Sequence, residues 1–161
     1  MLDEKLLKEL QEYVDIKLHL VRLAASTYGL ITIPHSELER YIENTRKPTF
    51  QQVLFSLIDK KGANDSDIYK KAGIDRRHFS KIRSNPDYHP SKNSVIALSI
   101  ALELNKKETG RLLSAAGFSL SNSVIRDLVI QFFLEKKVYD IDDINQALDY
   151  FSLKPLVGVS E

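Results

Sequence analysis

The stretch DSDIYKKAGIDRRHFSKIRS, residues 65–84, decides how the rest of the chain is read. It predicts two short helices joined by a tight turn. Ile68 and Ala72 share one side of the first helix, and Gly73-Ile74-Asp75 supplies the turn. Asp75 is placed to cap a second helix from Arg76 to about Ser84. At about 100° per residue, Phe79 and Ile82 of that helix fall on one face, which must pack inward. The opposite face carries Arg77, Ser80, Lys81 and Ser84 at i, i+3, i+4 and i+7, flanked by Arg76, His78 and Arg83. A helix with a short apolar edge inward and cations and hydroxyls outward suits the major groove of duplex DNA.

These residues resemble the lambda-repressor-like (Xre-type) helix-turn-helix domains. Gly73 matches the glycine of the turn, Ile74 the apolar residue after it, and Phe79 and Ile82 the buried positions of the recognition helix. Two features depart from the pattern. Tyr69 stands where members usually carry a small residue, and the frequent acidic-residue-then-glycine ending after the recognition helix is replaced by Arg83-Ser84-Asn85-Pro86. The resemblance runs on to about Gly117, with PSKNSVIALSIALEL as a fourth helix and KKETGRLLSAAG as a fifth. More loosely, residues 49–157 resemble a group of bacterial proteins with this core and a helical tail.

Charge supports the same stretch. The chain of 161 residues has a net charge of only +1, which by itself predicts no polyanion partner. The distribution is uneven. Residues 1–48 hold seven cations and eight anions, residues 49–120 twelve and seven, and residues 121–161 four and seven. Between Lys70 and Arg83 there are six Lys/Arg against one Asp. A localised basic stripe on the predicted reading face is the footprint of a phosphate-binding surface. The plainer explanation is a lysine-rich face that is merely solvated.

Other classes of protein are disfavoured. Hydrophobic residues make up 43% of the chain, too many for disorder. There is no cysteine, so disulfides and thiolate zinc sites are excluded, as suits a reducing cytoplasm. No apolar run approaches the ~20 residues of a membrane span, and the acidic N-terminus lacks the pattern of a signal peptide. His19, His35, His78 and His89 do not converge in sequence, and neither an H-E-x-x-H pattern nor a glycine-rich phosphate loop is present. Asp140, Asp142 and Asp143 sit at a helix start, where capping explains them better than a metal does. The expectation is a binding protein, not an enzyme, with no cofactor.

Outward from the central stretch, the chain divides into three expected parts. Residues 1–48 form an N-terminal helical extension and possible dimerisation element. Leu6, Leu7, Leu10, Val14, Leu18, Val21 and Ala25 give residues 3–26 a helical apolar stripe. Tyr28-Gly29 ends that helix, Leu30–Pro34 reads as extended, and Ser36-x-x-Glu39 predicts a capping box opening a short helix to about Asn44. The segment Asn44–Pro48 is the best boundary.

Residues 49–118 are the expected helix-turn-helix domain. Thr49-x-x-Gln52 is its opening capping box, Phe50, Val53, Leu54, Leu57 and Ile58 its first buried face, and Gly62 the first stop. Ser91 caps a fourth helix to about Leu104 that buries Val95, Leu98, Ala101 and Leu102. Asn105 caps a fifth, with Leu112 and Leu113 inward and Gly117 at its end.

Residues 119–161 are the expected C-terminal helical extension, packing on the core. A helix from Ser121 or Ser123 to about Lys137 offers Val124, Leu128, Val129, Phe132 and Phe133 as an apolar face. A second, from Asp140 to about Phe151, adds Ile141, Ile144, Leu148, Tyr150 and Phe151 to close a hairpin.

The fold expected is therefore all-α: a five-helix lambda-repressor-like core with a long N-terminal helix and a C-terminal helical hairpin. The resemblance implies a cytoplasmic, sequence-specific transcriptional regulator that binds double-stranded DNA as a homodimer. By the family's docking mode Arg77, Ser80, Lys81 and Ser84 face bases. Arg76, Arg83, Lys70, Lys71 and Lys92 hold phosphates, and Asp65 and Ser66 offer a hydroxyl or backbone amides to one. Two rivals stand beside this reading: a protein-binding module of antitoxin or adaptor type that reuses the fold, and an RNA-binding regulator.

Overall fold

The computed structural model describes residues 3–27 and 33–156. Among them all regular structure is helical, with no strand. The chain divides into two compact units, Met1–Arg46 and Lys47–Glu161. No helix among the described residues is long and apolar enough to cross a membrane.

The first unit holds α1 (Glu4–Thr27) and α2 (His35–Thr45). The apolar stripe of α1 is not covered: from Asp3 to Leu23 every side chain is exposed. No residue of α2 is buried either. The Ser36-x-x-Glu39 capping box does not form. Pro34 takes the N-cap position, without a side-chain bond, and its carbonyl accepts from the amides of Glu37 and Leu38. The helix thus begins at His35, ahead of Ser36, with the Pro34 carbonyl accepting its first bonds. The expected stop at Tyr28-Gly29 and most of the extended segment after it lie outside the described residues.

The second unit has one core. Helix α3 (Phe50–Lys61) opens with a complete capping box: Thr49 Oγ1 accepts from the Gln52 amide, and Gln52 Oε1 accepts from the Thr49 amide. It buries Phe50, Val53, Leu54, Leu57 and Ile58. Helix α4 (Asp65–Ala72) is capped by Asn64 and α5 (Arg76–Ser84) by Asp75. Helix α6 (Lys92–Ala101), capped by Ser91, buries every residue from Ser94 to Ala101. A helix apolar on all sides belongs at the centre. There α4 and α7 (Lys106–Ala115) pack on it, and α3 packs on α7. Helix α6 stops short of the expected Leu104. Glu103 turns left-handed at φ 54°, which brings Leu104 back into the core.

Helix α8 (Ile125–Lys136) packs on α7, and α9 (Ile141–Tyr150) packs on α8. Asp140 caps α9 by accepting from the amides of Asp142 and Asp143. Neither Ser121 nor Ser123 starts α8; its N-cap is Val124, with no side-chain bond. The buried face of α8 also differs from the expected one. Asp127, Ile130, Gln131 and Leu134, spaced i, i+3, i+4 and i+7, turn inward with Val129, whereas Val124, Leu128 and Phe132 are exposed. Tyr150 and Phe151 do not close the hairpin and are exposed as well. The reason is the burial of Asp127: its carboxylate accepts from Lys92 Nζ at 2.7 Å and from the Ser121 amide at 2.8 Å. An ion pair held at that place sets the rotation of α8 about its axis.

Candidate nucleic-acid interface

The connection between α4 and α5 is built around Gly73. Its φ of 67° is left-handed, a conformation that costs other residues about 1–2 kcal/mol. The amides of Gly73 and Ile74 donate back to the carbonyls of Lys70 and Tyr69 at 3.1 and 2.9 Å, closing α4. Two residues later Asp75 Oδ1 accepts from the Arg77 amide at 2.7 Å, opening α5. One helix is closed and the next opened within three residues, which fixes the angle between them.

Phe79 holds α5 to the core. Its ring is 6.2 Å from Phe55, edge to face, and 5.6 Å from Tyr69. Tyr69, large where the resemblance leads one to expect a small residue, lies beside Phe79 as part of this cluster. The far end of α5 is tied as well. Gln51 Nε2 donates to the carbonyls of Ile82 and Arg83, satisfying groups that a helix end leaves open.

The outward face is as the spacing requires. Arg77, Ser80, Lys81 and Ser84 are all exposed, with Arg76 exposed beside them and Phe79 and Ile82 buried behind. Among the described residues none of Arg76, Arg77, Lys81, Lys70 and Lys71 makes an ion pair.

Three expected phosphate contacts are placed otherwise. Arg83 is exposed, but its guanidinium is already engaged. Its guanidinium pairs with Asp65 at the start of α4 and lies 4.2 Å over the Phe55 ring centre. Lys92 is held by Asp127. Ser66 is half-buried with its amide given to Asn64 Oδ1, and the Asp65 carboxylate beside it repels a phosphate, so this helix start is not an open anion site. Lys70 and Lys71 are exposed, but they line a groove of about 520 Å³ whose other wall includes Glu103, Asp140 and Asp142. Part of their field is therefore offset by the tail.

His78 sits on the flank of this face, half-buried, its ring 5.6 Å from Tyr88. Its Nε2 is buried and without a hydrogen-bond partner among the described residues. Burial pushes its pKa below the usual histidine value; Lys81 adds to the shift and Asp75 opposes it. No cluster of three or more His, Asp or Glu that could hold a metal ion occurs among the described residues.

Sequence reasoning missed Gln51, Phe55 and Asp127 as supports of this surface. Gln51 and Phe55 act across 24 to 32 positions, and no local spacing signals that. Asp127, an acid followed by the apolar run Leu128–Ile130, was the one visible clue. Comparison with protein-family models, with curated proteins and with solved structures finds no match.

Proposed function

We propose that the protein is a sequence-specific DNA-binding regulator of transcription. Helices α3–α7 act as a lambda-repressor-like helix-turn-helix domain, and α5 enters the major groove. The observation that carries the reading is the outward face of α5, where Arg77, Ser80, Lys81 and Ser84 stand exposed, with no ion pair to Arg77 or Lys81 among the described residues, opposite buried Phe79 and Ile82. Arg77, in the first turn after the Asp75 cap, presents a fork of donors that matches the guanine edge. Arg76, Lys70 and Lys71 supply charge to the backbone; Arg83 and Lys92 are left out of the set. The domain works as a homodimer, whose two-fold axis sets the reading helices about 34 Å apart or a multiple of that.

Selection from random duplex DNA, followed by sequencing of the bound fraction, tests this. Enrichment of a motif with two-fold symmetry is the expected result. Retention of duplex without any motif, or preference for RNA of the same sequence, would overturn it.

A second reading has one observation in its favour. Ile125, Leu128, Phe132 and Phe151 are exposed and line an apolar groove of about 530 Å³ on α8 and α9. Exposed apolar surface of that kind marks protein-binding sites. Failure to retain any nucleic acid would move a protein-binding module ahead.

A further inference from the structure

Helix α1 has 24 residues and so is about 36 Å long, enough for three heptads of contact. Leu7, Leu10, Val14, Leu18 and Val21 are all 40% exposed or more. An isolated helix that shows a continuous apolar stripe to water is marginal, and its stability must come from packing that stripe. Among the described residues of this unit none is buried, so none of them covers it.

Two features of α1 say what does cover it. First, the five central residues of the stripe, at 7, 10, 14, 18 and 21, are separated by steps of three, four, four and three. The pattern is the same from either end, with Val14 at its centre, so it is self-complementary when one copy is reversed. Second, charge is split along the helix. Asp3–Asp15 contains five acids and two lysines, whereas Ile16–Thr27 contains Lys17 and Arg22 with no acid. A parallel pair would set acid against acid and Lys17 against Lys17. An antiparallel pair sets the acidic half of each copy along the basic half of the other and opposes the helix dipoles. The two Lys17 side chains then start about 9 Å apart along the axis, on opposite sides of the centre.

We propose that α1 is the dimerisation element: it packs antiparallel against α1 of a second copy, about a two-fold axis at Val14. This deepens the dimeric part of the reading above and is independent of what α5 binds. It makes the first unit a shared structure, with each copy supplying the apolar face that the other lacks.

The chain contains no cysteine, so single cysteines introduced into the full-length protein report the geometry directly. Oxidation of the Val14→Cys variant should give a covalent dimer. A chain carrying Leu7→Cys mixed with one carrying Val21→Cys should give a mixed covalent dimer. Leu7→Cys alone should not cross-link, because antiparallel copies separate the two sites by about 21 Å, against the ~7 Å limit of a disulfide. Efficient cross-linking of Leu7→Cys alone would show a parallel pair and overturn the proposal. No cross-linking at any position would show that a second α1 is not the occupant.

Sedimentation provides the second arm. Val14→Asp should raise the dimer dissociation constant at least tenfold with unchanged thermal unfolding of the second unit. A dimer unaffected by Val14→Asp would place the interface elsewhere, the α8–α9 groove being the next candidate. A parent protein that is itself monomeric yet selects a DNA motif would overturn this inference and leave the reading of α5 standing.

Discussion

Lys92, at the start of α6, holds its ammonium 2.7 Å from Oδ2 of Asp127, an α8 side chain only 2% exposed. The pair joins residues 35 positions apart and couples the tail to the central helix. A buried carboxylate left without its cation is destabilising, because its desolvation is no longer offset. The effect expected of Lys92 is therefore on stability, not on phosphate binding.

Lys92→Ala should lower the unfolding free energy by about 1–3 kcal/mol, read as a fall in the urea midpoint. The affinity of the folded protein for duplex should stay unchanged. A variant with the parent's midpoint but a weaker affinity and a smaller salt dependence would return Lys92 to the DNA-facing set.

Arg77 and Lys71 differ in what they can report to DNA. On the proposed reading Arg77 would make two hydrogen bonds to a base edge, whereas Lys71, on α4, would offer only charge. Arg77→Ala should cost roughly 1–3 kcal/mol on the preferred site and little on unrelated duplex. Lys71→Ala should weaken both about equally and reduce the salt slope by about one counterion. Titrations at several salt concentrations separate the two patterns. Unchanged specific affinity in Arg77→Ala would mean that α5 is not the reader.

His78 predicts a pH dependence of stability. Its folded pKa lies below the ordinary value near 6.5, chiefly through burial. Between the folded and unfolded pKa values the unfolded chain binds more protons, so stability falls as acid is added. The contribution is fully present above about pH 6.5 and is lost as pH falls through that value towards the folded pKa. Urea midpoints at pH 7.5 and 5.5 should diverge more for the parent than for His78→Gln, whose side chain does not titrate. Parallel pH profiles for the two proteins would show that His78 carries no such coupling.

Much of the second unit was legible from residues alone, and the legible parts share a cause. Thr49, Asp75, Ser91, Asn105 and Asp140 each close a ring with an amide two or three positions on. Such rings depend on the local chain and on little else. Gly62, Gly73 and Gly117 adopt the left-handed conformation at or just beyond helix ends for the same local reason. The outward face of α5 followed because Phe79 and Ile82 are its only large aliphatic or aromatic side chains. With two such residues in nine, periodicity leaves one choice of buried side.

Helix α8 shows where that reasoning stops. In IRDLVIQFFLEK apolar residues occur almost all round, so no single face stands out. The choice of Ile130 and Leu134 over Leu128 and Phe132 came from Asp127, whose partner Lys92 lies on another helix. The fate of Arg83 was equally invisible. Its place on the flank of α5 was readable, but its pairing with Asp65 and its seat over Phe55 required three helices to meet. At Ser36 a local pattern was present and lost to Pro34, which starts α2 ahead of it.

The sequence by itself determined where most helices begin and end and which side of α5 is polar, because caps, turns and helical periodicity act over a few residues. Only the tertiary structure decided which cations remain unpaired and which apolar faces remain uncovered. Ion pairs and buried faces depend on distances between residues far apart in the chain, and those distances exist only after the helices have packed.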